Sequence, residues 1–186
     1  MSEQAPAAFL DRDGTVIVEK DYLADPALIR FVDGAFEALR LLRDHGYKLV
    51  IVTNQSGIAR GLYTLDDYRA VESGMEQQLA AEGIILDGVF FCPHHPDFTG
   101  RCDCRKPGLG MYRDAARKLD LDLARSVYVG DRLKDVLPAH ELGGRAFLVL
   151  TGYGHAERAN MPADVDVVEN VLEAAYRTVG KTRTTP

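Results

Sequence analysis

Short apolar runs alternate along this chain with longer stretches in which apolar residues recur every three or four positions. Runs of the first kind are typical of buried parallel strands, and stretches of the second kind predict helices with one buried face. The predicted strands cover residues 7–10, 48–52, 88–91, 126–129 and 145–150. Because strands and helices alternate, we expect an α/β fold, namely a three-layer, Rossmann-like parallel sheet with helices on both faces.

The first helix is predicted from its end signals and its spacing. Asp33 is the expected N-cap, and Gly46 is expected to end the helix. Between them, Phe36, Leu39 and Leu42 recur at helical spacing and predict one buried face.

The second helix carries a more specific start signal. Thr64 is followed three residues later by Asp67, so we expect a capped helix over residues 65–81 that ends near Gly83. Further along, Pro138 leaves the start of one helix open because proline has no amide hydrogen to donate. The remaining helices are expected at residues 111–119, 133–142 and 171–179.

The chain length sets the domain organisation that we expect. With 186 residues, the chain has the usual size of one domain and can bury a substantial core. We expect a single domain over residues 1–186, with its core at about 7–180 and a disordered polar tail at about 181–186. Little sequence separates the first two strands, so no large cap domain is expected, and loops must close any site.

Composition and charge narrow the classes of partner. Hydrophobic residues make up 46% of the chain, yet no apolar run approaches the length of a membrane span, so no membrane contact is expected. The first six residues show no secretory signal, which favours the cytoplasm. The net charge of −6 argues against a broad grip on nucleic acid. We expect a monomer that acts on a small molecule, with local cations wherever the substrate is anionic.

Two carboxylates follow the first predicted strand. Asp11 and Asp13 lie one residue apart, so extended geometry would place both side chains on one side of the strand. Two like charges in one small space are costly unless a cation or a bound proton relieves them. A solvated acidic turn is the alternative interpretation of this pair taken alone.

Three further polar segments follow strand ends or precede helices. Each alone is typical of an ordinary turn, a helix cap or a solvated charge. The carboxyl ends of parallel strands meet at one edge of a sheet, so together with the acidic pair they predict one site. The segments are Thr53-Asn54-Gln55-Ser56-Gly57, Arg105-Lys106-Pro107 and Gly130-Asp131-Arg132-Leu133-Lys134-Asp135.

All three cysteines fall in one short window. Cys92, Cys102 and Cys104 are an odd number of thiols in a reducing compartment, which favours a metal site or thiol chemistry over disulfides. Three thiolates with one imidazole are a recognised structural zinc set, and both His94 and His95 are close enough in sequence to complete it. A closed set of four ligands leaves no open position for catalysis, so we expect a zinc-bound loop that supports its surroundings.

The order of the motifs resembles the haloacid dehalogenase superfamily of phosphatases over about residues 8–150. These motifs are, in chain order, Asp11-x-Asp13-Gly14-Thr15, Thr53, Lys106 and Gly130-Asp131-x-x-x-Asp135. Within this range, residues 53–61, 92–96 and 102–107 are similar to the D-glycero-D-manno-heptose 1,7-bisphosphate 7-phosphatases. The histidinol-phosphate phosphatases share the cysteine cluster but not the ending at residues 58–61, and they are the second candidate.

The resemblance implies a Mg²⁺-dependent phosphatase that acts through an aspartyl-phosphate and removes the C7 phosphate of a heptose bisphosphate in nucleotide-heptose biosynthesis. It makes Asp11 the nucleophile and Asp13 the general acid and base. It places Thr53 and Lys106 beside the transferring phosphoryl group. Asp135 is then either an anchor for Lys106 or only a helix cap.

The same resemblance implies the metal ligands and the substrate pocket. Mg²⁺ would bind Asp11, Asp131 and the backbone carbonyl of Asp13. Zinc would bind Cys92, His94, Cys102 and Cys104. Substrate contacts are expected from Glu19, Lys20, Asp21, Tyr22, Thr53, Asn54, Gln55, Ser56, Arg105, Lys106 and Arg132, although ordinary solvated charges remain the alternative for Lys20 and Arg132.

Two functions of other classes use similar residues. A signalling receiver domain also clusters aspartates, Thr and Lys around Mg²⁺, but receivers accept phosphate on an aspartate after the third strand, where this chain has Phe91-Cys92-Pro93. A zinc-stabilised binding module without activity is disfavoured because every catalytic position implied by the resemblance is filled.

Overall fold

The computed structural model describes residues 4–181, so the disordered tail expected at residues 181–186 falls, apart from Lys181, outside the described residues. Six parallel strands form one sheet in the order β3-β2-β1-β4-β5-β6, which confirms the predicted α/β architecture. The strands are β1 (Ala5–Leu10), β2 (Lys48–Asn54), β3 (Gly88–Cys92), β4 (Leu121–Gly130), β5 (Arg145–Val149) and β6 (Asp166–Val168).

Helices cover both faces of the sheet, and alternate strand residues point into the two cores. The helices are α1 (Ala35–Asp44), α2 (Leu65–Ala81), α3 (Pro96–Thr99), α4 (Gly110–Leu119), α5 (Leu133–Val136), α6 (Pro138–Leu142), α7 (Gly154–Glu157) and α8 (Val171–Thr178). Ala8 and Leu10 of β1 pack in the core under α1, α2 and α8. Ala7 and Phe9 pack in the core under α4, α5 and α6.

The second helix confirms its predicted bounds and cap. Helix α2 spans Leu65–Ala81, and the amide of Asp67 donates to Thr64 Oγ1 at 3.1 Å. In return, the amide of Thr64 donates to Asp67 Oδ2 at 2.8 Å, which completes a capping box.

The predicted cap of the first helix is wrong by one residue. Helix α1 begins at Ala35 after Gly34, and Asp33 does not cap it. Gly34 has a left-handed backbone, and a Cβ there would lie 2.9 Å from Leu172 of α8. The close approach of α1 to α8 therefore decides how this helix begins.

The prediction of a single helix over residues 133–142 is also wrong. The structure divides it into α5 and α6, and Pro138 is the first residue of the second part. Proline is favoured at that position because it has no amide hydrogen to leave unpaired. Strand β6 was missed because it is only three residues long and shows no clear alternation.

Loops and helices, with no large cap domain, join the strands within residues 4–181. Between β1 and β2 lie one 3-10 helix (Pro26–Leu28) and α1. No helix within residues 4–181 combines the length and the apolar character that crossing a bilayer requires.

Candidate active site

A cavity of about 270 Å³ opens at the carboxyl edge of the sheet, beyond β1, β2 and β4. The chain runs outward from β1 to β3 and then returns to place β4 on the other side of β1, so this edge is a topological switch point. Of the predicted site residues, those that line the cavity are Asp11, Asp13, Glu19, Lys20, Asp21, Tyr22, Thr53, Asn54, Gln55, Ser56, Arg105, Asp131 and Arg132.

Lys106 lies behind the cavity floor with its ammonium against Asp11. Lys106 Nζ is 2.6 Å from Asp11 Oδ1 and 2.7 Å from Asp135 Oδ1, and it also donates to the carbonyl of Val52 at 2.6 Å. Burial alone would lower the pKa of Lys106, but the two carboxylates outweigh it and raise the pKa. The ammonium therefore stays charged beside Asp11.

Asp135 both contacts Lys106 and caps a helix, the two roles that the sequence left as alternatives. Its Oδ1 pairs with Lys106, whereas its Oδ2 accepts from the amide of Arg132 at 3.1 Å and caps α5. One buried carboxylate thus fixes the ammonium to the start of the helix that follows β4.

The carboxylate of Asp131 is enclosed by backbone from two other strand ends. Its Oδ2 accepts from the amide of Tyr153 at 2.8 Å. A Cβ on Gly14 or Gly152 would come within 2.2 or 2.1 Å of that oxygen, and both glycines have positive φ angles. Burial and the nearby Asp11 raise the pKa of Asp131 to about 8.

Three carboxylates in this position form an oxygen donor set. Asp11, Asp131 and Asp135 each offer an oxygen, and these oxygens lie within 4.8 Å of one another. Their mutual repulsion is only partly offset by Lys106, and Mg²⁺ prefers ligands of this chemistry. The residues present therefore fit a magnesium ion.

Asp13 belongs to a separate hydrogen-bonded network. The buried Arg12 forks onto it, with Nε 3.0 Å from Oδ2 and Nη2 3.0 Å from Oδ1. Gln55 Nε2 donates to Asp13 Oδ2 at 2.9 Å and to Thr53 Oγ1 at 2.9 Å, and the hydroxyl of Tyr63 donates to Gln55 Oε1. Because Thr53 Oγ1 accepts from Gln55, its own hydrogen stays available to a ligand in the cavity.

Asn54 holds the backbone on both sides of the Lys106 side chain. Its Oδ1 accepts from the Lys106 amide at 3.0 Å, and its Nδ2 donates to the Lys106 carbonyl at 3.2 Å. Asn54 therefore clamps the segment that carries the ammonium. Because Asn54 also lines the cavity, its substrate contact stays a prediction.

The four predicted zinc ligands come together beside the cavity. Cys92, His94, Cys102 and Cys104 each offer one donor atom, and these atoms lie within 4.8 Å of one another. Neighbouring donors are 2.9 to 3.8 Å apart. A tetrahedron with zinc–sulfur bonds of about 2.3 Å has edges of about 3.8 Å, so the cluster could hold zinc with small adjustments.

The choice between the two histidines follows from their different partners. His94 Nδ1 points into the cluster, 3.3 Å from Cys104 Sγ. His95 instead accepts from the amide of Asp97 at the start of α3. Arg105 donates to the carbonyl of His94 at 3.1 Å, so the cluster also orients a cation that lines the cavity.

Several rim residues were missed by the sequence reasoning. Tyr153 places its ring 3.5 Å beneath the guanidinium of Arg132, and its hydroxyl bonds to Asp21 at 3.1 Å. Arg60 donates to the hydroxyl of Tyr22 at 2.6 Å. Tyr153 follows the fifth predicted strand, so the strand-end rule would have found it. Arg60 lies in the segment 58–61, which carries part of the resemblance, and that segment was the available signal.

Glu19 is an acidic residue that lines the cavity, and the charges of Asp13 and Asp11 act on it. Burial, together with Asp13 and Asp11, raises the pKa of Glu19 to about 7. This carboxyl group therefore exchanges its proton in the physiological range.

Comparisons with known proteins agree with this architecture. A family model described as HAD-hydrolase-like matches residues 103–174. The chain is 44% identical over 158 residues to D-glycero-β-D-manno-heptose-1,7-bisphosphate 7-phosphatase of Yersinia pestis, covering 82% of this chain and 84% of that protein. It is 41% identical over 177 residues to the enzyme of the same name from Vibrio cholerae, covering 92% and 95%.

Solved structures give the same result. The chain superposes with a TM-score of 0.86 on the D,D-heptose 1,7-bisphosphate phosphatase of B. bronchiseptica, crystallised with magnesium and phosphate. That similarity covers 94% of this chain and 98% of the other at 37% identity. The corresponding phosphatase from Burkholderia thailandensis is 31% identical, with a TM-score of 0.72 and coverage of 95% and 99%.

Proposed function

Since the chain belongs to the haloacid dehalogenase-like D-glycero-D-manno-heptose 1,7-bisphosphate 7-phosphatases, we propose that it hydrolyses the C7 phosphate of that sugar. The observation that carries the proposal is the contact between Asp11 and the buried ammonium of Lys106 at the floor of a small cavity. A carboxylate that is paired with a permanent cation and open on its other side is suited to attack a phosphate ester.

The first step forms an aspartyl-phosphate. Asp11 attacks phosphorus while the bond from phosphorus to the sugar oxygen breaks, and Asp13 gives its proton to that leaving oxygen. The hydroxyl hydrogen of Thr53 and the charge of Lys106 stabilise the transferring phosphoryl group.

The second step restores the enzyme. Asp13, now ionised, takes a proton from water as the water oxygen attacks the phosphorus of the aspartyl-phosphate. The bond to Asp11 breaks, inorganic phosphate leaves, and Asp13 is again protonated. One carboxyl group thus serves both halves of the reaction.

Magnesium fits the carboxylate cluster for an electrostatic reason. Two unit charges about 4 Å apart repel by about 4 kcal/mol at an effective dielectric near 20, and a phosphate monoester brings two negative charges. Bound Mg²⁺, held by Asp11, Asp131 and the carbonyl of Asp13, would supply the positive charge that offsets this repulsion.

The cations at the rim support a substrate with a second phosphate. They surround an acidic floor, so an anionic group that cannot reach the floor still finds a complementary charge. Arg132 stacks on Tyr153, and its guanidinium can fork onto phosphate oxygens. The cations that line the cavity mouth are Lys20, Arg60, Arg105, Arg132 and Lys134.

The thiol cluster is proposed to bind zinc for a structural purpose. It fixes the loop between β3 and α4, from which Arg105 lines the cavity. Three adjacent thiols persist as metal ligands in a reducing compartment, so we propose that the enzyme acts in the cytoplasm. We also propose that the enzyme acts as a monomer.

The substrate is tested by direct comparison. Purified enzyme with Mg²⁺ is given D-glycero-D-manno-heptose 1,7-bisphosphate or histidinol phosphate, and phosphate release is followed. We expect kcat/KM to be at least about 100-fold higher for the bisphosphate, because the rim cations pair with its second phosphate. A higher kcat/KM for histidinol phosphate would overturn the proposed substrate, and the Asp11→Asn variant controls for contaminating phosphatases.

A further inference from the structure

A buried arginine separates the two aspartates that follow β1. Arg12 is only 1% exposed, although arginine is seldom fully buried unless it is paired. Its partner is Asp13, which it contacts through both Nε and Nη2. A guanidinium fork of this kind fixes the direction of a carboxylate as well as its position.

The hydrogen bonds to Asp13 leave little freedom for further contacts. An ionised carboxylate has about four acceptor positions, two on each oxygen. Arg12 occupies one on each oxygen, and Gln55 occupies the second one on Oδ2. One acceptor position therefore remains, on Oδ1 of a side chain that is 17% exposed and lines the cavity.

Tyr63 determines which way Gln55 faces. Its hydroxyl donates to Gln55 Oε1 at 2.5 Å, so the amide nitrogen is the end that reaches Asp13. Burial raises the pKa of Tyr63 to about 12, which keeps the phenol protonated and able to donate. Without this hydroxyl the amide could turn its oxygen toward the carboxylate, where the two oxygens would repel.

We propose that Arg12 is a positioning residue for Asp13. Together with Gln55 and Tyr63, it leaves a single acceptor position on Asp13, at Oδ1. The proton exchanged with the leaving oxygen and with water passes through that position. The inference rests on the proposed function, since it assigns the geometry of the acid and base in that reaction. A carboxyl group with one available position meets the sugar oxygen and the attacking water in the same place. This constraint raises the rate by orientation.

The test separates proton transfer from phosphoryl transfer. A sugar alkoxide needs a proton to leave, whereas nitrophenolate leaves without one. With enzyme in excess, a single turnover of nitrophenyl phosphate measures attack by Asp11 alone. Steady turnover of a sugar phosphate requires Asp13 in both steps.

The main variant is Arg12→Lys, which keeps a positive charge and loses the fork. We expect its kcat on the sugar phosphate to fall at least about 10-fold, with KM within about threefold of wild type. Its single-turnover rate with nitrophenyl phosphate should stay within about threefold. Equal losses in both rates, or no loss in either, would overturn the proposal.

A pair of tyrosine variants protects the test against misfolding. Tyr63→Phe removes only the hydroxyl that fixes Gln55, so its sugar phosphate turnover should fall by about threefold while attack by Asp11 is retained. Tyr68→Phe removes another buried hydroxyl, which bonds to Glu72, and keeps the ring that lies against Arg12, so it should match wild type. Equal behaviour of the two variants would contradict the inference.

The outcome is distinguishable from a failure of the proposed function. If wild type does not hydrolyse the heptose bisphosphate, the proposed substrate fails. Steady turnover is then measured with any sugar phosphate that wild type does hydrolyse. The role of Arg12 is decided by the loss of that rate relative to the loss of the single-turnover rate with nitrophenyl phosphate.

Discussion

Two clusters of side chains in residues 4–181 could hold a metal ion, and they differ in what holds them. The carboxylates Asp11 and Asp131 directly follow β1 and β4, and Asp135 lies on the adjoining α5, so the sheet and its first helix position all three. The thiols and His94 lie on or after β3 in a loop that contains one helix of four residues. The first cluster is positioned by strand ends and a helix and carries like charges, whereas three of the four members of the second lie in the loop after β3.

This difference predicts a different consequence for a metal ion at each cluster. A cation at the carboxylates relieves repulsion in a geometry that already exists, so its main effect is on the reaction. A cation at the thiols supplies the cross-link that the loop otherwise lacks, so its main effect is on stability. Variants of each cluster should therefore separate turnover from thermal stability.

The largest expected effect is on turnover, at the carboxylates. Asp11→Asn removes the nucleophile but keeps its shape, so kcat should fall by at least about 1,000-fold while the fold is retained. Phosphate release and thermal unfolding are measured on the same sample. Turnover near the wild-type rate would refute the assignment of Asp11, and a collapse of the unfolding temperature would contradict the contrast between the clusters.

The next effect is on stability, at the thiols. Cys102→Ser should lose stoichiometric zinc and lower the Tm by at least about 5 °C, because binding energy at a structural site is folding energy. Zinc content is measured by elemental analysis and Tm by calorimetry.

A matched pair of histidine variants tests which histidine binds zinc. His94→Asn should behave like Cys102→Ser, whereas His95→Asn should keep its zinc. Wild-type protein without zinc would contradict the proposed site.

The smallest effect concerns the charge at the rim. In the folded protein the pKa of Glu19 is about 7, above its ordinary value of 4.5. Between pH 4.5 and pH 7 the unfolded chain therefore binds fewer protons at this residue than the folded protein does. The free energy of unfolding falls as pH rises through this range. Glu19→Gln removes this loss. In metal-free protein its Tm relative to wild type should rise by roughly 2–4 °C between pH 5 and pH 8. The exposed Glu141→Gln serves as control, and a constant difference for Glu19→Gln would contradict the shift.

The sequence predicts the sheet well because its signals are local. Buried strands are continuous apolar runs, and the capping box at Thr64 and Asp67 lies within four residues. Where α1 begins, the deciding contact is with Leu172, more than a hundred positions away. No pattern around Asp33 contains that information.

The site shows the same division. Asp11, Thr53 and Asp131 follow strand ends and could be found from position alone. The roles of Arg12 and Asn54 could not be found in this way, because each depends on a partner whose direction is set by tertiary packing. A strand-end arginine normally predicts a solvated charge, whereas Arg12 is buried against Asp13.

The glycines that enclose Asp131 limit how this enzyme can diversify. Any side chain added at Gly14 or Gly152 would collide with the carboxylate, and the backbone at both positions disfavours other residues. A library designed to change the accepted ester would therefore lose active members by varying these positions and should vary the exposed rim, at Lys20, Tyr22 and Arg60. The floor of the cavity then stays constant while the preference of the enzyme changes.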